Sequence, residues 1–517
     1  MRAWIMSLVL LAPFTAAPAH AWDSAGDAAQ AARVAQDPGS AWSEANLQEL
    51  AWVLSEAYSH GFPSMDEEAG LIADTSAQTA DRVRVAREAF RRYAGWLRYG
   101  MVEPDTMELR YLNAQEREFI TVTMRRSLID DNVYEALTAL APPVRDYEAL
   151  RQEMIRRTAH QRIFPVIGEG AALRPGDEGL RVDQLRARLA AEGLLTGEAV
   201  MGAPFDARLD TAVRRFQGRV NLAPTGVADR DTLAQLNMTP ERRLDQLRAN
   251  LEQRRWRSRD LGRRHIWVNL ADFSLEAWAD GQLARRHEVM VGREASSTPE
   301  FSEEMQYLVL NPWWNVPGGS GSVRFRAIRR NPGFARQYRI IHRDGRAVPV
   351  SQVDWSRWGN DWPYRLAQPP GPQNPMGEVK FIFPNRHNVY IHDTVERDEF
   401  YRTRRDFSAG CIRVQDPMAL AAWVLEEQDE SWSRDRIETV ASGEEATVVW
   451  LDNRIPVHIA YWTVVGDDDG SVRFLNDLYG RDGRLTAGVS LAVERLASGE
   501  RPAPPPAPAP MAASALE

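Results

Sequence analysis

The hydrophobic period of this chain changes near residue 264, and that change limits the fold more than any other feature. Upstream, from Ala41 to about Gln161, apolar residues recur three and four apart. Val85, Ala89, Arg92 and Trp96 lie on one such stripe and Phe90, Tyr93 and Leu97 on its neighbour, the spacing of helices that bury one face. Downstream, the stretches HIWVNL (265–270), HEVMV (287–291), YLVL (307–310) and VKFIF (379–383) are short, β-branched and aromatic, and read as strands. A chain of 517 residues exceeds the roughly 100–200 residues of one domain. The pattern therefore predicts a multidomain α+β protein, with a helical scaffold first and a β-rich domain after it.

Between the two lies a smaller unit. Pro175-Gly176-Asp177 makes a turn, Val182, Leu185 and Leu189 recur at helical spacing, and Gly193 follows as a C-cap. Val213, Phe216 and Val220 mark a second helix, and Asp229 or Asp231 caps a third over 232–236. The pattern predicts three short helices around one small core. The next stretch, 242–264, is basic with Leu244, Leu247 and Leu251 on one side, which predicts a helix returning to the scaffold with a solvated charged face. An insertion at 316–375 is rich in Gly, Pro, Arg and Trp, and Trp355, Trp358 and Trp362 would stack on one packed face if helical. Residues 457–462 and 472–474 flank Asp467-Asp468-Asp469-Gly470 and read as a hairpin with an acidic turn. That turn lacks the alternating ligands and closing Glu of an EF-hand loop. The PAPPPAPAP stretch predicts a disordered or polyproline tail.

Composition removes several function classes. The formal net charge is −9, so no bulk basic field recruits nucleic acid. Arginine supplies nearly all the positive charge, Lys380 being the only lysine. Cys411 is the only cysteine, which excludes an intramolecular disulfide and Cys-rich zinc sites. No H-E-x-x-H helix is present, and the nine histidines do not cluster with carboxylates at ligand spacing, so no metal or other cofactor is expected. Residues 1–21 carry Arg2, an apolar core from Trp4 to Phe14 and then Ala19-His20-Ala21. This is the pattern of a secretory signal cleaved before Trp22, with a core shorter than the ~20 residues of a membrane span. Export, and no membrane span after cleavage, are the expectation. A lone thiol in an oxidising compartment is then a liability unless buried or used.

The chemistry concentrates in NVYIHDTVERDEFYRTRRDFSAGCIRVQD (388–416). Val389 and Ile391 alternate with Tyr390 and His392, and Ile412 and Val414 alternate with Cys411 and Arg413. If the two strands are neighbours, both apolar sets enter the core together and His392 and Cys411 emerge on one open side. Asp416 as N-cap and Pro417 at the first position then launch a helix. A free thiol is mostly protonated at neutral pH, and an imidazole beside it accepts the proton and later returns it to a leaving amine. Gly410 lets the backbone approach closely, so that consecutive N–H groups face a developing oxyanion.

These words resemble known modules. LRPGDEGLRVDQLRARLAAEGLL and FDARLDTAVRRFQGRVNLAPTGVADRDTLAQLN resemble the peptidoglycan-binding type 1 domain over its whole length. SAGCIRV after YIHDT resembles the YkuD-type L,D-transpeptidase domain, with a His followed by Ser-x-Gly-Cys-x-Arg. HEVMVGREASSTPEFSEEMQYLVLNPWWNVP, NPMGEVKFIFPNRHNVYIHDT, FYRTRRDFSAGCIRV and PVHIAYWT…DLYGRD resemble the YcbB-like subgroup in order and spacing. The resemblance implies a scaffold at 22–170 and 239–264, a peptidoglycan-binding domain at 171–238 and a catalytic domain at 265–485. The catalytic domain would carry a lid at 316–375 and a hairpin at 455–480, with a tail from 486 to 517. It also implies Cys411 as nucleophile and His392 as general base. Tyr390, Gly410 and Cys411 would help form the oxyanion site, and Ser408 and Arg413 would shape the pocket. Arg413 either pairs with a substrate carboxylate or forms a structural ion pair. The implied activity is periplasmic: 3→3 cross-linking of peptidoglycan stem peptides through a thioester, with release of terminal D-Ala and acylation by carbapenems. Water or an outer-membrane protein amine is an alternative acceptor, and other cell-wall enzymes are further partners. A wall-binding scaffold with an inert Cys411 is the rival from another class.

Overall fold

The computed structural model describes residues 42–160, 164–195, 201–359, 361–428, 431–467 and 469–498. The expected signal segment and the Pro/Ala-rich stretch fall outside the described residues. The chain divides into two compact units. Among the described residues the first comprises 42–54 with Asp66–Ala94 and Asn113–Ala139. It is helical, with helices Asp66–Ala73, Ala114–Ile129 and Val133–Thr138 inside it. Helix Ala114–Ile129 starts at a reciprocal cap, Asn113 accepting from the Glu116 N–H and Glu116 from the Asn113 N–H, which satisfies two helix-end donors. Arg82 is buried and forks onto the Glu44 carboxylate with two 2.8 Å bonds.

The second unit comprises Ser55–Met65, Gly95–Leu112 and the described residues from Leu140 onward. Its strands are β1 (Arg264–Asn269), β2 (Ser274–Ala279), β3 (Gln282–Met290), β4 (Phe301–Leu310), β5 (Trp314–Val316), β6 (Arg339–His342) and β7 (Tyr364–Gln368). They continue with β8 (Val379–Ile382), β9 (Ile391–His392), β10 (Ile412–Val414), β11 (Thr447–Ala460), β12 (Val464–Gly466) and β13 (Val472–Phe474). Eight of them close a barrel in the order β1-β11-β4-β8-β9-β10-β3-β2. Closure leaves no unpaired edge. Two of its pairings are parallel, β1 with β11 and β9 with β10. Ile266, Val268, Leu308, Phe381, Ile391, Ile412 and Val414 are fully buried in its core, each side chain contributing roughly 1.5–3 kcal/mol. Helix Pro417–Leu425 is buried almost all round, as its unbroken apolar run requires. Asp416 caps it, accepting from the Ala419 N–H at 3.2 Å.

The inserted segment between β4 and β8 forms its own sheet, β5-β7-β6, with a core of Phe325, Ile328, Ile340, Val353 and Leu366. Over its tryptophans the only helical turn among the described residues is Trp355–Arg357, a single 3-10 turn. The indoles of Trp355, Trp358 and Trp362 still gather, with ring centroids 4.9–5.9 Å apart. The small three-helix unit consists of Leu180–Ala191, Ala207–Arg219 and Arg230–Leu236. Asp229, rather than Asp231, caps the third by accepting from the Thr232 N–H.

Three expectations change. Residues 457–460 belong to barrel strand β11 between β1 and β4, so the acidic turn joins β12 to β13 instead. Barrel closure over a long sequence separation, invisible to local pattern, claims those residues. The tail does not begin at 486: Asp482–Ala497 is a helix that buries Leu485, Val489 and Ala492, a stripe at four- and three-residue spacing. Helix Pro240–Arg255 does not present a solvated charged face, because Arg243, Glu252, Arg254 and Arg255 are buried. Its Leu244, Leu247 and Leu251 share a core with helix Tyr147–Ala159 and the β12–β13 hairpin.

Candidate active site

The parallel pairing of β9 and β10 sets the site. Ile391 lies opposite Ile412 and His392 opposite Arg413, so Tyr390 lies beside Cys411, whose next residue donates to the Tyr390 carbonyl (Ile412 N to Tyr390 O, 3.1 Å). Because successive side chains alternate faces, Val389, Ile391, Ile412 and Val414 go into the barrel core. Tyr390, His392, Cys411 and Arg413 share the other face, with His392 the diagonal neighbour of Cys411. Lys380 joins them, in register with His392 from β8, its ammonium 3.6 Å from the Tyr390 ring centroid. The Tyr390 and His392 rings are 5.5 Å apart. Cys411 is free and half-buried rather than sealed in the core.

Electrostatics keep both members of the pair neutral at rest. Burial, then the positive charges of Arg413 and Lys380, push the His392 imidazole down to about 3. The ring is 3% exposed, and its Nδ1 has no hydrogen-bond partner of good geometry. Burial pushes the Cys411 thiol up, opposed by the backbone and side chain of Tyr390 and by the charges of Lys380 and Arg413. Burial and the adjacent Cys411 push the Tyr390 phenol up, keeping it a proton donor. The thiol itself donates to the Asn388 carbonyl at 3.9 Å, and a neutral imidazole on the same face is in the protonation state that a general base requires.

The loop before Cys411 is held by its own side chains. Ser408 is buried; its hydroxyl accepts from the Gly410 N–H at 3.0 Å and donates to the Cys411 carbonyl at 2.5 Å. Gly410 has φ +117°, a conformation open to glycine and costly for other residues. The expectation of consecutive N–H donors therefore narrows. The Gly410 N–H is bonded to Ser408, whereas the Cys411 N–H meets no acceptor among the described residues. Arg413 forms an ion pair with the exposed Glu396.

Sequence reasoning passed over several neighbours. Lys380, the only lysine of the chain, carries no role in the sequence pattern. Asp393, the residue after His392 and 1% exposed, accepts from the Glu378 N–H and from Arg397. Thr298, fully buried, donates to the Gly410 carbonyl at 2.9 Å; no local pattern signals that contact. Among the described residues no group of three or more His, Cys, Asp and Glu side chains is placed to hold a metal.

With this geometry in hand, comparison with known proteins gives three family matches. Residues 263–459 match the YkuD L,D-transpeptidase catalytic domain, residues 178–236 the "Putative peptidoglycan binding domain" and residues 35–154 the Scaffold domain. The chain carries a YkuD-type L,D-transpeptidase catalytic domain and a peptidoglycan-binding type 1 domain. A Haemophilus influenzae protein named "Putative L,D-transpeptidase" is 29% identical over 228 residues, 43% of this chain. The match spans 45% of that relative, under half its length. Among solved structures, an L,D-transpeptidase from Mycobacterium smegmatis is 12% identical with a TM-score of 0.20, covering 38% of this chain and 58% of its own. An L,D-transpeptidase from Xylanimonas cellulosilytica is 14% identical with a TM-score of 0.18, covering 57% of this chain and 99% of its own. No helix of the described residues is long and apolar enough to cross a membrane.

Proposed function

We propose that this chain is a periplasmic cysteine L,D-transpeptidase of the YcbB-like subgroup that forms 3→3 cross-links between peptidoglycan stem peptides. The observation that carries this reading is the single cysteine, half-buried on one sheet face with His392, Tyr390 and Lys380, inside a region that matches an L,D-transpeptidase catalytic domain. His392 takes the thiol proton as Cys411 Sγ attacks the carbonyl of the third residue of the donor stem, an L-centre. The oxyanion that forms faces the Cys411 N–H, and such a preorganised donor is typically worth ~3–4 kcal/mol. Collapse breaks the bond to the terminal D-Ala, whose amine leaves with the proton from His392. A thioester on Cys411 remains.

The side-chain amine of a second stem then attacks the thioester carbonyl, His392 takes a proton from it, and the thiolate leaves and is reprotonated. The product carries a new amide between two stems. Thiol, imidazole and backbone donor complete acyl transfer in this scheme. The three-helix domain, 171–238 by our boundaries, would bring the enzyme to the wall, and the 316–375 insertion would act as its lid. Carbapenems, as acyl donors, would acylate Cys411. Incubation with disaccharide-tetrapeptide followed by mass spectrometry tests the reading. Cross-linked dimer with free D-Ala is the expected product. Tripeptide alone would make water the acceptor, and unchanged substrate would refute the enzymatic reading.

A further inference from the structure

The motif DLYGRD (477–482) has no part in the reaction as written, yet its side chains reach the loop that packs on the nucleophile. We propose that Thr298, braced by Tyr479 and Arg481, is a positioning residue that aims the Cys411 N–H at the oxyanion of acyl transfer; this rests on Cys411 being the nucleophile.

The argument follows protons. The Gly292 N–H donates to Thr298 Oγ1 at 3.0 Å. A threonine hydroxyl has one proton to give, and Thr298 gives it to the Gly410 carbonyl at 2.9 Å. The peptide joining Gly410 to Cys411 is planar and trans, so its C=O and N–H point in opposite directions. Fixing the Gly410 oxygen on Thr298 thereby fixes the Cys411 N–H on the opposite side, where it meets no acceptor among the described residues. The contact is too close for a side chain at 292. A Cβ there would sit 2.2 Å from the Ser296 carbonyl oxygen and 3.0 Å from the Gly410 Cα.

The loop is tied from behind. Tyr479 donates its hydroxyl proton to the Gly292 carbonyl at 2.6 Å. Arg481 donates to the Thr298 carbonyl at 2.9 Å and pairs with Glu300 at 3.2 Å. Tyr479 is itself fixed, its N–H bonded to the Tyr461 hydroxyl at 2.8 Å and its ring stacked on Tyr461 at 5.2 Å. The hydroxyl of Tyr461 in turn donates to Asp477 at 2.6 Å. An unbroken run of hydrogen bonds thus joins Asp477 to the peptide of the nucleophile.

Two reactions of the one thiol separate aiming from mere support. Acylation by p-nitrophenyl acetate forms the Sγ–C bond, breaks the aryl ester C–O bond and releases p-nitrophenol with the thiol proton; it passes through an oxyanion. Alkylation by iodoacetamide displaces iodide at a saturated carbon and has none. Thr298→Val keeps the shape and removes the hydroxyl, and is expected to slow the nitrophenol burst by about tenfold or more while alkylation stays within about threefold. Thr298→Ser should restore the burst. Tyr479→Phe, which removes one hydroxyl away from the loop, should lower the same ratio by a factor of a few and decides the matter if Thr298→Val does not fold. An unchanged acylation-to-alkylation ratio in these variants overturns the proposal, provided Cys411→Ala gives no burst. A burst that survives Cys411→Ala overturns the nucleophile reading, and this proposal with it.

Discussion

Two buried polar regions of the same unit follow opposite rules. Along helix Pro240–Arg255 the buried charges find partners, with only Arg255 Nε left without one among their described nitrogens and oxygens. Glu252 accepts from the Met101 and Val102 N–H groups, the Trp256 indole and Arg255. Arg254 donates to Asp146 and the Val464 carbonyl and lies 3.9 Å over the Trp462 ring. On the face of β9 and β10 the Cys411 N–H meets no acceptor among the described residues, the Lys380 ammonium meets a ring rather than a carboxylate, and His392 Nδ1 is buried without a hydrogen bond of good geometry. A buried charge paired with carboxylates and carbonyls holds a fold together, whereas a backbone donor kept free at a half-buried nucleophile is available to a substrate.

Substitutions can break that comparison, and the largest effect belongs to the open face. Cys411→Ala should remove cross-linked and tripeptide products from the tetrapeptide assay while the thermal midpoint stays near that of the parent. His392→Gln should lower the acylation rate by about 10²–10⁴-fold, the usual share of a general base, read from the burst phase. On the bonded helix the loss should appear in stability. Glu252→Ala strands Arg255 and two backbone donors and should cost roughly 3–5 kcal/mol, measured by denaturant unfolding. The ion pair between Arg413 and the exposed Glu396 should matter least: Glu396→Gln is expected to change stability by under about 1 kcal/mol.

Acid sharpens the contrast further. His392 is held near 3 in the folded protein against an ordinary value of 6.5. The unfolded chain therefore binds a proton that the native chain refuses between those values, and stability should fall as pH drops from 6.5 toward 3. His392→Gln should flatten that limb of the unfolding free energy against pH. On the alkaline side burial raises the thiol, so the rate of Cys411 alkylation should have its midpoint above that of an ordinary thiol.

The central strands were legible because period-2 alternation is local. Val389 and Ile391 against Tyr390 and His392, with Ile412 and Val414 against Cys411 and Arg413, fix which side chains face outward before any partner strand is known. Asp416 and Pro417 likewise announce their helix. Other features depend on residues far apart in sequence. A string of arginines and glutamates at 241–255 looks solvated until Asp146, Met101 and Val464 arrive to bond it. Residues 457–460 look like half a hairpin until β1 and β4 flank them. The Ser408 hydroxyl that takes up the Gly410 N–H and the Thr298 hydroxyl on the Gly410 carbonyl are matters of ångströms, which spacing does not carry.

Intact-protein mass spectrometry after rapid mixing with disaccharide-tetrapeptide and acid quench tests the account most directly. It predicts an adduct of the substrate mass less D-Ala, located on the peptide that holds Cys411 and absent after thiol alkylation. Product formed at full rate by a chain whose Cys411 is already alkylated would contradict it.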